Sequence, residues 1–84
     1  MVIKKGESRS GRRRRRNRSA LMDAGYKVMA TKGIDAATMS EIAELADVGA
    51  GTVYNYFVSK DELAMCVMER IMERLAERIK AGHE

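Results

Sequence analysis

The stretch from Thr38 to Lys60 reads TMSEIAELADVGAGTVYNYFVSK, and its pattern predicts two short helices joined by a tight turn. Thr38 and the Glu41 that follows three residues later have the spacing of a capping box, which starts the first helix. Apolar residues then recur at helical spacing until the Asp-Val-Gly of residues 47–49 interrupts them. Asp and Gly tolerate the left-handed backbone that a tight turn needs, and Val48 is expected to fill the angle between the helices. The stretch therefore predicts a helix-turn-helix unit.

The second helix of this unit, from about Ala50 to Phe57, is called the recognition segment below. Val53 and Phe57 are four residues apart, so they share one face, which we assign to the core. The opposite face holds Gly51, Thr52, Asn55 and Tyr56, with Tyr54 at its flank. It carries no charge, although a surface helix normally presents charged side chains to water. A neutral face of hydrogen-bond donors and acceptors suits contact with another polar surface.

The small residues at the start of the recognition segment would let its backbone approach a partner closely. The helix dipole at that end favours a phosphate. In a helix-turn-helix, the N-terminal residues of the second helix contact base edges in the major groove of DNA. We therefore expect base reading by Ala50, Gly51, Thr52, Asn55 and Tyr56. The hydroxyl of Tyr54 is expected to donate to a phosphate.

The run GTVYNYF at residues 51–57, followed by Ser59 and Lys60, resembles the DNA-binding domain of the TetR family of bacterial repressors. The resemblance continues upstream through residues 21–24 and 33–34, and several spaced motifs agree, which makes it specific. It implies an all-α fold, in which a three-helix, homeodomain-like helix-turn-helix bundle is followed by a longer fourth helix.

The resemblance also implies roles for three residues outside the recognition segment. It places a backbone-phosphate contact at Thr38 and a groove-edge contact near Ser40, while a cap alone would also account for Thr38. It makes Lys60, at the start of the fourth helix, a phosphate contact. Three positions depart from the family pattern, and none lies on the predicted base-reading face. They are Met29 in place of an aromatic residue, Gly25 in place of Ala, and Asp47 in place of Gly.

The charge of the chain is divided unequally along its length. Of 84 residues, 16 are Lys or Arg and 12 are Asp or Glu, a net of +4. Residues 1–19 contain nine of the basic residues and one acidic residue, a net of +8, so residues 20–84 carry −4. We expect residues 1–17 to form a basic disordered arm that could follow DNA phosphates, enter a minor groove, bind another polyanion, or remain a solvated tail. Its expected phosphate contacts are Arg12, Arg13, Arg14, Arg15 and Arg16.

The arm is followed by two predicted units, the DNA-binding domain at residues 18–58 and a connecting helix at residues 59–84. The first helix of the domain is expected from about Arg18 to Lys32. The fourth helix, capped by Ser59, carries a long apolar stripe whose far half the three short helices cannot cover. The resemblance implies that this helix leads into a larger ligand-binding and dimerisation domain that begins beyond the chain.

The composition argues against several other classes of protein. One His, one Cys and no Ser-His-Asp arrangement or phosphate-binding Gly loop give no basis for an enzyme, and we expect no cofactor and no metal site. A single cysteine fits a reducing cytoplasm, and the N-terminus lacks the apolar region of a signal peptide. No stretch approaches the roughly 20 apolar residues of a membrane span.

Three hypotheses remain. The first is a sequence-specific DNA-binding domain of a transcriptional regulator, by resemblance a repressor, that reads a double-stranded operator with two-fold symmetry. A full-length protein would then be a homodimer, with a small-molecule inducer bound by the domain absent here. The second is a helical interaction or dimerisation module that uses the stripe of the fourth helix. The third is a non-specific nucleic-acid binder that uses the arginine arm.

Overall fold

The computed structural model describes residues 9–82, apart from the side chains of residues 10, 81 and 82. The described residues contain no strand, so the all-α prediction is confirmed. The helices are α1 (Arg9–Lys32), α2 (Met39–Ala46), α3 (Ala50–Val53) and α4 (Lys60–Gly82). None of them has an apolar stretch able to span a bilayer.

The first helix begins at Arg9 rather than Arg18, so the prediction of a disordered arm is wrong for residues 9–17. Residues 1–8 of that arm lie outside the described part of the chain. We expected the arginine run to stay extended because like charges repel. A helix instead rotates successive side chains by about 100° and so distributes the charges around its axis. Arginine is also a strong helix former, and side chains from this part of α1 contact the recognition segment.

The predicted capping box of α2 is confirmed. The side chain of Thr38 accepts from the backbone N–H of Glu41, and the side chain of Glu41 accepts from the backbone N–H of Thr38. The left-handed residue of the following turn is Asp47, with φ 63° and ψ 44°, while Gly49 has φ −66°. Val48 is half-buried against the core, as predicted. The left-handed backbone of Asp47 therefore forms the turn, and the packing of Val48 on the core holds the angle between α2 and α3.

The core is one cluster to which every helix contributes. Its five largest fully buried side chains are Phe57, Leu21, Ile42, Leu63 and Val53. Gly25 of α1 packs directly on this cluster, since a Cβ at that position would lie 3.1 Å from Leu63 Cδ2. The absence of a side chain at Gly25 therefore lets α1 approach α4 closely.

The second half of α4 extends beyond the core. Leu63 and Val67 are buried, whereas Met72, Leu75 and Ile79 are 59%, 48% and 64% exposed. The prediction that α1 to α3 leave the far half of the stripe uncovered is thus confirmed. Between the two halves, Arg70 of α4 binds α1 through Asp23 Oδ1 at 2.6 Å and Ser19 Oγ at 2.9 Å.

Replacing Asp47 tests the cost of its left-handed backbone. Asp47→Ala should lower the free energy of unfolding by about 1 kcal/mol, because a Cβ without a local polar partner is disfavoured there. Asp47→Gly should be neutral or stabilising, because Gly adopts this conformation without steric cost. The measurement is urea unfolding followed by circular dichroism. A matched control is Gly33→Ala at φ 90°, where an added Cβ meets nothing within 4 Å and any loss comes from the backbone. Equal stability of the Ala and Gly variants at position 47 would contradict this explanation.

Candidate nucleic-acid interface

The recognition segment is only partly helical. Regular helix covers Ala50–Val53, and a tight turn follows at residues 54–56, so the prediction of a continuous helix to Phe57 is wrong. The N–H groups of Asn55 and Tyr56 donate three residues back, at 2.9 and 3.1 Å. Gly51 and the β-branched residues that follow it have low helix propensity, which favours this tighter winding.

Two buried side chains hold the segment on the core. Val53 is 0% exposed and Phe57 1%, as predicted from their spacing. The backbone N–H of Phe57 donates to Val53 O at 3.0 Å, which keeps the two anchors on one side. Most of the predicted base-reading and flanking residues are exposed to solvent. Ala50, Gly51, Tyr54 and Asn55 are exposed and Thr52 is half-buried.

Tyr56 differs from the prediction, which placed it opposite the core. Its ring is half-buried and packs against the core, and its hydroxyl accepts from Asn17 Nδ2 at 3.2 Å. The Arg14 guanidinium lies over the ring, 4.6 Å from the centroid. At 100° per residue Tyr56 lies only about 60° from Val53, at the flank of the core face, so the prediction was wrong to place it opposite the core. The tighter turn after Val53 brings it further toward α1.

The arginines of α1 do not share one environment. Arg14 Nη2 donates to Asn55 O at 3.1 Å. Arg18 lies over the Phe57 ring at 5.2 Å and donates to the sulfur atoms of Met22 and Cys66. All of these arginines are exposed, including Arg14, Arg18 and the other members of the run, Arg12, Arg13, Arg15 and Arg16.

Sequence reasoning missed Asn17 and Arg18 as contacts of the recognition segment. The signal was present, since residues 14, 17, 18 and 21 continue the helical spacing of the buried face of α1 toward its N-terminus. It was overlooked because the side chains on that face are polar. The stems and planar ends of Arg and Asn can nevertheless cover apolar surface.

The remaining predicted contacts already have intramolecular partners, except for Ser40, which is exposed in the first turn of α2. The hydroxyl of Thr38 serves the cap. Lys60 Nζ donates to the carbonyl oxygens of Asp35 at 3.2 Å and Ala37 at 2.9 Å, which fixes the start of α4 to the loop before α2. An ammonium group has three donors, so a further acceptor can still be bound.

The helix-turn-helix built in this way matches the family model described as "Bacterial regulatory proteins, tetR family" over residues 21–65. This match covers more than half of the 84 residues. The chain belongs to the TetR family. The matched residues include the core of α1, the whole of α2 and α3, and the start of α4. The first three turns of α1 lie before the match.

Several curated proteins of this kind are similar to the chain. The HTH-type transcriptional repressor KstR of Rhodococcus jostii (strain RHA1) is 35% identical over 71 residues, which are 84% of this chain and 34% of that protein. The HTH-type transcriptional regulator BetI of Rhizobium meliloti (strain 1021) is 37% identical over 60 residues, 71% of this chain and 30% of that protein. The HTH-type transcriptional activator FasR of Mycolicibacterium smegmatis is 35% identical over 77 residues, 89% of this chain and 35% of that protein. The chain thus spans about a third of the length of these relatives. No solved structure matches it significantly.

The Glu41 carboxylate makes the stability of the fold depend on pH. An ion pair with Lys32 and the backbone N–H of Thr38 hold the pKa of Glu41 below its ordinary value of 4.5. A lowered pKa in the folded state stabilises the fold above the unfolded-state pKa, and this contribution disappears as the pH falls through the folded-state pKa. Glu41→Gln should therefore be less stable than the wild type at neutral pH, and the difference should vanish in acid.

The measurement is thermal unfolding of both proteins from neutral pH down to about pH 3, a range that spans the ordinary titration of a carboxylate. Glu44→Gln is the matched control, since it removes the same charge from an exposed position on the same helix. A stability gap between wild type and Glu41→Gln that is constant with pH would refute the linkage.

Proposed function

We propose that the chain is the operator-reading domain of a TetR-family transcriptional regulator, binds double-stranded DNA sequence-specifically in the cytoplasm, and acts in repression. One observation carries the proposal. Within the family-matched region, a short segment is anchored by Val53 and Phe57 and presents the uncharged polar side chains of Thr52 and Asn55 outward. Such an anchored, neutral surface can approach base edges without the desolvation cost of unpaired charges.

The proposed base-reading residues lie at and after the start of α3. Asn55 can pair bidentately with adenine, and Thr52 can bond to bases or contact a thymine methyl group. The exposed Ala50 and Gly51 let the backbone come close to the groove, and Ser40 is proposed to reach its edge. Tyr56 is left out of this set, since Arg14 covers its ring and Asn17 binds its hydroxyl.

The proposed phosphate contacts surround this surface. Tyr54 is 56% exposed beside Asn55, and Thr38 and Lys60 lie at the starts of α2 and α4. Among these proposed phosphate contacts, most of the positive charge comes from the exposed arginines of α1. Contacts of this kind fix the orientation of the domain on the duplex and make affinity dependent on salt, while the base contacts supply specificity.

The proposal for the longer protein is a homodimer on an operator of two-fold symmetry, with an inducer site outside the present residues. Support comes from the length comparison, since the relatives are about three times as long as the matched segments. It also comes from the exposed far half of α4, whose apolar side chains lack a covering surface in the described residues. One helix-turn-helix reads a few base pairs, and two copies a helical turn apart read a full operator.

Removing the Asn55 side chain tests base reading. Asn55→Ala should fold normally, because Asn55 is exposed and its backbone bonds remain. Selection of duplexes from a random pool should show relaxed preference at one base position, with a loss of about 1–3 kcal/mol for the preferred base. The matched control is Tyr54→Phe, which removes one phosphate donor and should weaken binding to all sequences alike. An unchanged base preference in Asn55→Ala would remove Asn55 from the base-reading set.

Joining two copies tests the proposed two-fold operator. A dimeric coiled coil fused in helical phase after Lys80 should raise affinity for a two-half-site duplex by a factor of about 10²–10⁴ over the single domain. Band-shift titration at fixed salt gives this factor, and a duplex with one half-site scrambled is the control. Tight, specific binding by the strictly monomeric chain, with no gain from fusion, would argue against the two-copy model.

A further inference from the structure

The N-terminal part of α1 and the end of the recognition segment are joined by two polar side chains. Arg14 and Asn17 are three residues apart and lie on the face of α1 that continues to the buried Leu21. Arg14 Nη2 donates to Asn55 O at 3.1 Å, and Asn17 Nδ2 donates to the Tyr56 hydroxyl at 3.2 Å. Both contacts come from turns of α1 that precede the family-matched residues.

The guanidinium of Arg14 makes two contacts at once. It stacks over the Tyr56 ring with Cζ 4.6 Å from the centroid, and it donates from its edge to the neighbouring carbonyl. A planar guanidinium can do both, because its face meets the aromatic ring while its N–H groups point outward in the plane. A lysine ammonium has no such plane and cannot stack.

The accepting carbonyl belongs to the residue proposed to read a base. Asn55 lies where α3 has ended, so its carbonyl has no helical partner and is available to another donor. The contacts of Arg14 and Asn17 with the Asn55 carbonyl and the Tyr56 side chain hold the backbone of residues 55 and 56 against α1. The direction in which the Asn55 side chain leaves the backbone is fixed at the same time.

We propose that Arg14, supported by Asn17, is a positioning residue for base recognition rather than a phosphate ligand. The proposal rests on the function proposed above. It reassigns one exposed member of the arginine run because of its contacts with Asn55 and Tyr56, while Arg12, Arg13 and Arg16 remain proposed phosphate contacts. Successive arginines on one helix thus have different proposed roles. Arg14 contacts the recognition segment, whereas the side chain of Arg13 leaves the helix about 100° away from that of Arg14.

Two kinds of measurement separate positioning from phosphate binding. A lost phosphate contact lowers the slope of log affinity against log salt by about 0.9 and leaves base preference unchanged. A lost positioning contact leaves that slope unchanged and weakens discrimination at the base that Asn55 reads. A merely structural role would lower thermal stability and weaken binding to every sequence equally.

The experiment compares Arg14→Ala, Arg14→Lys and the matched control Arg13→Ala in the 84-residue chain. Arg14→Ala should keep the salt slope and reduce discrimination at the Asn55 base by a factor of about three to ten, which is within what the loss of one exposed stacking contact and one hydrogen bond can account for. Arg14→Lys keeps the charge but lacks the planar group that makes both contacts at once, so it should show most of the same loss. Arg13→Ala should lower the slope by about 0.9 with base preference intact. A reduced slope with unchanged preference in Arg14→Ala would overturn the proposal, as would full discrimination in Arg14→Lys.

A second readout uses the protein without DNA. Nuclear Overhauser effects between the Arg14 side chain and the Tyr56 ring are expected, with the ring signals assigned through Tyr56→Phe. Those ring signals should shift in Arg14→Ala and stay in place in Arg13→Ala. Absence of these effects would overturn the proposed contact between Arg14 and the Tyr56 ring. A wild type without any base preference would instead overturn the proposed function, and the positioning role with it. A selective wild type whose preference survives Arg14→Ala would overturn the positioning role alone.

Discussion

The burial of Val53 and Phe57 gives the recognition segment its shape. Regular helix in α3 covers four residues, far below the roughly 12–15 at which an isolated helix becomes even marginally stable. Its conformation therefore depends on tertiary packing, and the two anchors provide it by inserting among Leu21, Ile42 and Leu63. The turn before α3 and the cap of α2 bring the segment to this cluster, and α1 and α4 complete its walls.

This dependence explains the unusual composition of the outward face. A helix that had to be stable by itself would need good helix formers and paired charges on its surface. Apart from Ala50 the recognition segment has neither, because packing on one side replaces local stabilisation on the other. Its exposed side chains are consequently free to vary with the surface they contact, while Val53 and Phe57 keep the backbone in place.

The unequal charge along the sequence has a structural counterpart. The arginine run continues α1 as a helix instead of trailing from it, so its cations have defined directions. Arg14 and Arg18 are exposed and lie over aromatic rings of the recognition segment. The other members of the run are exposed on the same helix. One rigid element thereby connects the positive surface to the segment that presents Asn55.

The sequence by itself determined the all-α class, the capping box at Thr38, the turn at Asp47 and the anchoring role of Val53 and Phe57. These features depend on local chemistry and on residue spacing along one helix, both of which can be read from the chain. It also determined that the far half of α4 extends beyond the small core, since the lengths of the helices fix how much of the stripe they cover.

Only the tertiary structure decided where α1 begins, where α3 ends and which way Tyr56 faces. Charge repulsion along Arg12–Arg16 favoured an extended arm, and contacts with a segment some 40 positions away outweighed it. The turn at residues 54–56 brought Tyr56 further toward α1, where Arg14 lies over its ring. Contacts between distant parts of the chain leave no periodic pattern in the sequence. The different proposed roles of Arg13 and Arg14 could therefore be inferred only from the structure.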